Sequence, residues 1–290
     1  MKLSEAGIPV PRGDVAYSFR SAAAIAEAIG WPVAVKPFDA NQGKGVSTNI
    51  TSFEELENAF NAAARFSHAV IVERHIEGKD YRLLVVGGKM VAAAERRAPF
   101  VVGDGIHTIR ELVEIENLNP LRGTDHEKPL TIIRIDEMSR QVLAKNGYTE
   151  NSIPGAGVKV LLRYNGNLST GGTARDCTDE VHPHNAELAV KAAELMELDI
   201  AGIDITCADI SKPLEKVDGA VIEVNAAPGL RMHIYPTEGK PRNVAGAIIG
   251  HLFPKGRPSS IPIVSVTGTN GKTTVTRMIA HTLRVSGITT

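Results

Sequence analysis

Two segments late in the chain, IAGIDITCADI and GAVIEVNAAPG, restrict what it can fold into more than any other feature. They read as two strands separated by a short polar connection, with Asp204 on the first and Glu223 and Asn225 on the second. Positions i and i+2 of a strand share a face, so on adjacent strands these three side chains can point the same way. Two carboxylates and an amide oxygen on one face suit Mg²⁺, a hard cation that takes oxygen ligands and shares them with substrate phosphates. A polar sheet edge with solvated acids would account for one such pair. It accounts less well for a set that follows a strand ending in a lysine and a Gly-rich loop.

That lysine is Lys36, at the end of the apolar strand WPVAVKPF. Its head would be costly to bury without an anion, and a phosphate resolves that cost. The loop NQGKGVS (Asn41 to Ser47) could lay backbone N–H groups and Lys44 over phosphates. It lacks the GxGxxG spacing of a dinucleotide fold.

Around these landmarks the pattern predicts a helix from Ser18 to Gly30. A second helix, FEELENAFNAAARF, has Ser52 and Glu55 as a capping box. AVIVERHI, DYRLLVVGG and KMVAAAERR follow as strands, the last two joined at Gly87 and Gly88 like a hairpin. TIRELVEIENL and EMSRQVLAKNG read as helices, GVKVLLRY as a strand and NAELAVKAAELMEL as a helix. The turn-rich NLSTGGTARDCTDEVHPHN reads as a mobile or substrate loop. Strand–loop–helix–strand with an antiparallel continuation indicates an α+β fold.

Formal charge is −1, from 32 basic and 33 acidic residues, so no global field draws the chain to nucleic acid or membrane. Cys177 and Cys207, the only cysteines, have no metal or redox spacing. No apolar run approaches the ~18 residues a membrane span needs. A cytoplasmic location is expected. His182 and His184 in VHPHN lack a third ligand and read as exposed loop residues.

Taken together, Lys36, the Gly-rich loop and the Asp204, Glu223, Asn225 set resemble the ATP-grasp family, over roughly Ile8 to Leu252. The resemblance implies two α+β subdomains gripping ATP. Lys36 and Lys44 would then meet phosphates, Glu73 and the Arg74 backbone the adenine, and Asp80 the ribose. Asp204, Glu223 and Asn225 would hold Mg²⁺. Arg82 and Arg96, on strands expected to line the cleft, would stabilise phosphoryl transfer to a substrate carboxylate. An amine would then displace phosphate from the acyl phosphate to form an amide. D-alanine–D-alanine ligases place an arginine where Gly202 stands, which counts against that branch. A glutathione-type or other amino-acid ligase and a noncatalytic ATP-binding module are the alternatives.

Near the C-terminus, VTGTNGKTT has Val266 where the general Walker pattern places its first glycine. It resembles instead the P-loop of the Mur ligase family. Gly268, Thr269, Asn270, Gly271, Lys272, Thr273 and Thr274 would cradle a second ATP at a helix N-terminus. The expected organisation is an N-terminally incomplete ATP-grasp domain over 1–252, a Pro-rich linker over 253–262, and the first strand, P-loop and helix of a truncated α/β Mur ligase-like domain over 263–290.

That order of modules is similar to the cyanophycin synthetase family, as are ERR, VVGDG, NPLRG and LSTGGTARD. The resemblance implies ATP-dependent addition of L-aspartate to an acidic peptide polymer primer, then of L-arginine to the aspartate side chain by the second module. It also implies a homo-oligomeric full-length enzyme of which this chain is a fragment. An acidic polymer would call for a groove lined by Arg96, Arg97, Arg122, Arg163 or Arg175.

Overall fold

The computed structural model describes residues 2–39, 44–124, 127–256 and 263–288. The chain divides into two compact units, Met1–His251 and Leu252–Thr290. The first unit begins with α1 (Lys2–Glu5), β1 (Gly13–Ala16), α2 (Phe19–Ile29), β2 (Val33–Pro37), β3 (Ser47–Ile50), α3 (Phe53–Ala64) and β4 (Val70–Arg74). The strands form an antiparallel sheet in the order β1-β4-β2-β3. Apolar stripes on α2 and α3 pack on it through Ala22, Ala26, Leu56 and Phe60, against Val33, Val35 and Val72.

Local signals set the helix ends. Ser18 caps α2 and exchanges bonds with Ser21. The expected box at Ser52 is altered: Ser52 accepts from the Glu55 N–H, but the Glu55 carboxylate reaches back to Thr51, not to Ser52. Each arrangement satisfies N–H groups that the first helical turn leaves unpaired.

The second sheet carries the candidate site. β5 (Lys79–Val86) and β6 (Lys89–Arg97) form the expected hairpin. Gly87 and Gly88, at φ 55° and 72°, supply the positive dihedrals that a primed two-residue turn demands. β7 (Phe100–Val102), α4 (Ile109–Asn117), β8 (Arg122–Gly123), β9 (Leu130–Thr131), α5 (Glu137–Lys145) and β10 (Lys159–Leu161) follow. They gather around a separate cluster that includes Ile109, Leu112, Leu143, Val160 and Leu162. The strand expected over GVKVLLRY is therefore only three residues long, paired with β7.

The chain returns to the second sheet with β11 (Thr173–Asp176), then α6 (Pro183–Leu195), β12 (Ile200–Cys207), β13 (Ala220–Asn225), α7 (Arg231–Ile234) and α8 (Val244–Leu252). The order is β11-β6-β5-β12-β13, antiparallel throughout. One correction concerns β11. The segment expected as a mobile loop contributes a sheet strand, because its backbone pairs with β6 and its charged side chains all find ion partners.

In the second unit, α9 (Lys272–Val285) follows a turn at Gly271 with φ 79°. The strand expected before the P-loop does not form over residues 263–267. A strand needs a hydrogen-bonded neighbour, and none is present there among the described residues. α9 buries no residue, and the Lys272 ammonium donates to the carbonyls of Gly268 and Thr269. Much of the expected linker, residues 257–262, lies outside the described residues.

Candidate active site

Strand register builds the site. Across the second sheet Asp176 pairs with Ala94, Ala94 with Arg82, Arg82 with Asp204, and Asp204 with Glu223. Directly opposed residues point to the same face, so these five form one row across five strands. A neighbouring row runs from Ala174 through Arg96 and Asp80 to Thr206. Asn225, opposite Gly202, continues the Glu223 side by one period. The other face carries Tyr81, Leu83, Val85, Ile203 and Ile205, which pack against Leu188, Ala189 and Ala192 of α6. Alternation thus divides this sheet into an oily face and a charged one.

At the centre of the charged face, Asp204 is 5% exposed and Arg82 9%. Arg82 grips the carboxylate with two nitrogens, Nε to Oδ1 and Nη2 to Oδ2, the latter at 2.8 Å. Arg96 Nη1 adds a third contact at 3.1 Å from Oδ2. Burial alone would lower the Arg82 pKa, but the Asp204 carboxylate more than reverses it, with Glu223 adding to the rise. Glu223 is exposed and has no ion pair among the described residues. Asn225 turns its amide nitrogen toward the Gly202 carbonyl at 3.4 Å.

The remaining candidates fall into two groups. Lys36 and Glu73 meet at 2.8 Å on the first sheet, where β2 and β4 pair. Arg74 donates its backbone N–H to Arg12 and its guanidinium to Asp218, at 2.7 and 2.6 Å, tying β4 to the turn before β13. Asp80 accepts from Thr206 at 2.9 Å, beside Arg96. Lys44 is exposed, and Asn41 to Gly43 of its loop lie outside the described residues. The P-loop residues Gly268 to Thr274 belong to the second unit.

Arg96, Arg97, Arg122, Arg163 and Arg175, among which a groove lining was expected, fall at several places. Arg96 lies on the charged face. Arg97 and Arg122 border a cavity of about 510 Å³ with Phe100, Glu116 and Glu238. Arg163 pairs with Asp136, and Arg175 with Glu95 and Glu180. Glu95 points away from Arg82; burial would raise its pKa, but hydrogen bonds from Arg97 and Arg175 hold it below the usual carboxylate range. His182 caps α6 by accepting from the His184 N–H, and His184 pairs with Glu215. The two thiols are buried, and burial pushes Cys177 up to about 12 and Cys207 to about 11.

The sequence reading missed His233. It is 1% exposed on α7, which packs on β11 and β6, and neither ring nitrogen has a hydrogen-bond partner among the described residues. Its electrostatic neighbours are Arg82 and Asp176, the charges on either side of Ala94. Asp176 in turn is clamped by Arg242 through two nitrogens, at 3.0 and 2.7 Å. The only linear hint was one histidine in the apolar turn after Pro228-Gly229.

Known proteins match both halves of this arrangement. The family model D-ala D-ala ligase C-terminus matches residues 8–102, and the RimK-like ATP-grasp domain matches residues 162–250, which include the Asp204 and Glu223 strands. The cyanophycin synthetase of Trichormus variabilis is 50% identical over 286 residues, 98% of this chain and 32% of the relative. That of Geminocystis herdmanii is 50% identical over 98% of this chain and 33% of the relative. The glutathione biosynthesis bifunctional protein GshAB of Streptococcus agalactiae is 38% identical over 87% of this chain and 34% of its own length. Among solved structures, a bifunctional glutathione synthetase from Pasteurella multocida superposes with a TM-score of 0.61 at 35% identity, covering 87% of this chain and 35% of that one. The chain spans about a third of the length of these relatives.

Proposed function

We propose that this chain, whose residues 162–250 match the RimK-like ATP-grasp domain, is the aspartate-adding part of an ATP-dependent carboxylate–amine ligase of cyanophycin synthesis. The row Arg82–Asp204–Glu223 carries the catalytic half of this reading. With Arg96 from the neighbouring row, it concentrates two cations and two carboxylates on one face, where phosphoryl transfer needs positioning and charge stabilisation.

The donor set offers a hard cation Glu223, which has no ion pair among the described residues, and an Asn225 oxygen free of the Gly202 contact. Asp204, directly opposite Glu223, would share with the ion a carboxylate that Arg82 and Arg96 already hold. Asp204, Glu223 and Asn225 would hold Mg²⁺, which when bound neutralises charge on the nucleotide phosphates. Lys36 and Lys44 contact phosphates, Glu73 and the Arg74 backbone position adenine, and Asp80 holds the ribose. A carboxylate oxygen at the C-terminus of the poly-aspartate primer attacks the γ-phosphorus, and the bond to the β-phosphate oxygen breaks to release ADP. The L-aspartate amine then attacks the acyl carbon, loses a proton and expels phosphate. Arg82 and Arg96 stabilise the transferring group.

The extent of similarity favours this ligase over a glutathione-type one. A match over 98% of the chain leaves too little unaligned sequence to omit the second unit, Leu252–Thr290, whereas a match over 87% leaves room to omit most of it. Gly268 to Thr274 would serve a second ATP, for L-arginine addition by the fuller Mur-like module. We place the full-length enzyme in the cytoplasm as a homo-oligomer.

The test is product analysis. Full-length enzyme is incubated with a cyanophycin primer, ATP, Mg²⁺ and single amino acids, and the polymer mass is measured. Growth by one aspartyl residue per ADP, with L-aspartate alone, is the expected result. Ligation of a small thiol or glycine instead would support the glutathione-type alternative. ATP binding without amino-acid-dependent ADP release would support a noncatalytic ATP-binding module.

A further inference from the structure

Gly202 sits mid-strand in β12, paired on one side with Leu84 and on the other with Asn225. Its backbone lies outside the left-handed region, so no dihedral requires glycine there. Glycine in a strand interior gives up packing and entropy and often marks a close approach of another group. Here a Cβ would stand 2.9 Å from Arg82 Cδ, 3.4 Å from Arg82 Nε and 2.6 Å from Pro228 Cβ. The side chain of Arg82 therefore leans over Gly202 before its nitrogens turn to Asp204. On its other flank Arg82 faces Ala94, another small residue.

We propose that Gly202 is a positioning residue for the ligase reaction, its missing side chain providing the lane through which Arg82 crosses from β5 to grip Asp204. The proposal rests on the ligase reading above. It assigns Gly202 a task in setting the geometry of the charged row, apart from any contact with nucleotide or amino acid. Any side chain at position 202 lifts the guanidinium off the carboxylate and moves the cation that faces the transferring phosphoryl group.

The second close neighbour, Pro228, offers a rival account: glycine is there for the turn after β13, and Arg82 is incidental. A double-mutant cycle separates the two, because residues that act through one contact are non-additive. Amino-acid-dependent ADP release by the full-length enzyme is measured for wild type, Gly202→Ala, Arg82→Ala, the double variant, and Gly202→Ala on a Pro228→Gly background. Melting temperatures are recorded alongside. The expected result is a fall in kcat of about tenfold or more for Gly202→Ala with little change in KM for ATP. That fall should vanish on the Arg82→Ala background and persist on the Pro228→Gly background, where Arg82 is the remaining close neighbour. An equal fall with and without Arg82, or full recovery with Pro228→Gly, overturns the proposal. The last variant also keeps the test decisive if Gly202→Ala alone folds poorly. Wild-type enzyme without ADP release under any amino acid would refute the ligase reading instead, a distinct outcome.

Discussion

Asp204 receives guanidinium groups from both Arg82 and Arg96, and it and Arg82 are almost closed to water. Desolvating such charges costs several kcal/mol per ion before their attraction returns any of it. Apolar residues would hold five strands together at least as well, so the array is better understood as a site than as a brace. His233 sharpens the point. Burial, then the nearby Arg82 cation, push its pKa down to about 4, with Asp176 opposing. An unfolded histidine titrates near ~6.5, so between there and pH 4 the unfolded chain binds a proton that the folded chain does not. The histidine's contribution is fully present above that window and is lost as pH falls through it. Urea unfolding across pH 7 to 4 should show wild type losing roughly 3 kcal/mol more than His233→Leu. Parallel curves would contradict the assignment of a buried neutral ring. Asp204, Glu223 and Asn225 were legible because a two-residue period puts neighbours on one face. His233 was not, because its partners Arg82 and Asp176 come from strands far away in sequence.

At the scale of elements, helix positions were readable from periodicity but the chemistry of their ends was not: the box expected at Ser52 is altered, and one not anticipated stands at Thr108. Thr108 caps α4 by accepting from the Glu111 N–H, while the Glu111 carboxylate returns to the Thr108 N–H and hydroxyl. Thr108→Ala removes one side of that exchange and should cost about 1 kcal/mol, read as a lowered denaturant midpoint with unchanged slope. An unchanged midpoint would mean that α4 is held by Ile109, Leu112 and Val113 alone. The Gly87-Gly88 hairpin was equally local. β11 was hidden because a short polar strand looks like a loop until its partners are known: Arg175 meets Glu95, and Asp176 meets Arg242. The P-loop strand failed for the opposite reason. Its apolar pattern is real, but a pattern does not supply the neighbouring strand.

Over the whole molecule, the first unit holds every residue of the charged row, and the GTNGKTT segment lies in the second. The ATP-grasp fold was accessible from Lys36, Asp204, Glu223 and Asn225 together, whereas the substrate depended on likeness to longer proteins. Alternation along β6 sends Arg96 and Arg97 to opposite faces, so a groove can draw on one of them and not both. The central claim is that the row across the second sheet grips Mg²⁺ and ATP for amide formation. Glu223→Gln in the full-length enzyme tests it most directly, since Glu223 is exposed, has no ion pair among the described residues, and the change preserves size. Aspartate-dependent phosphate release should fall by about 100-fold or more, with the melting temperature shifted by no more than about 2 °C. Near wild-type release from a folded Glu223→Gln enzyme would contradict the account.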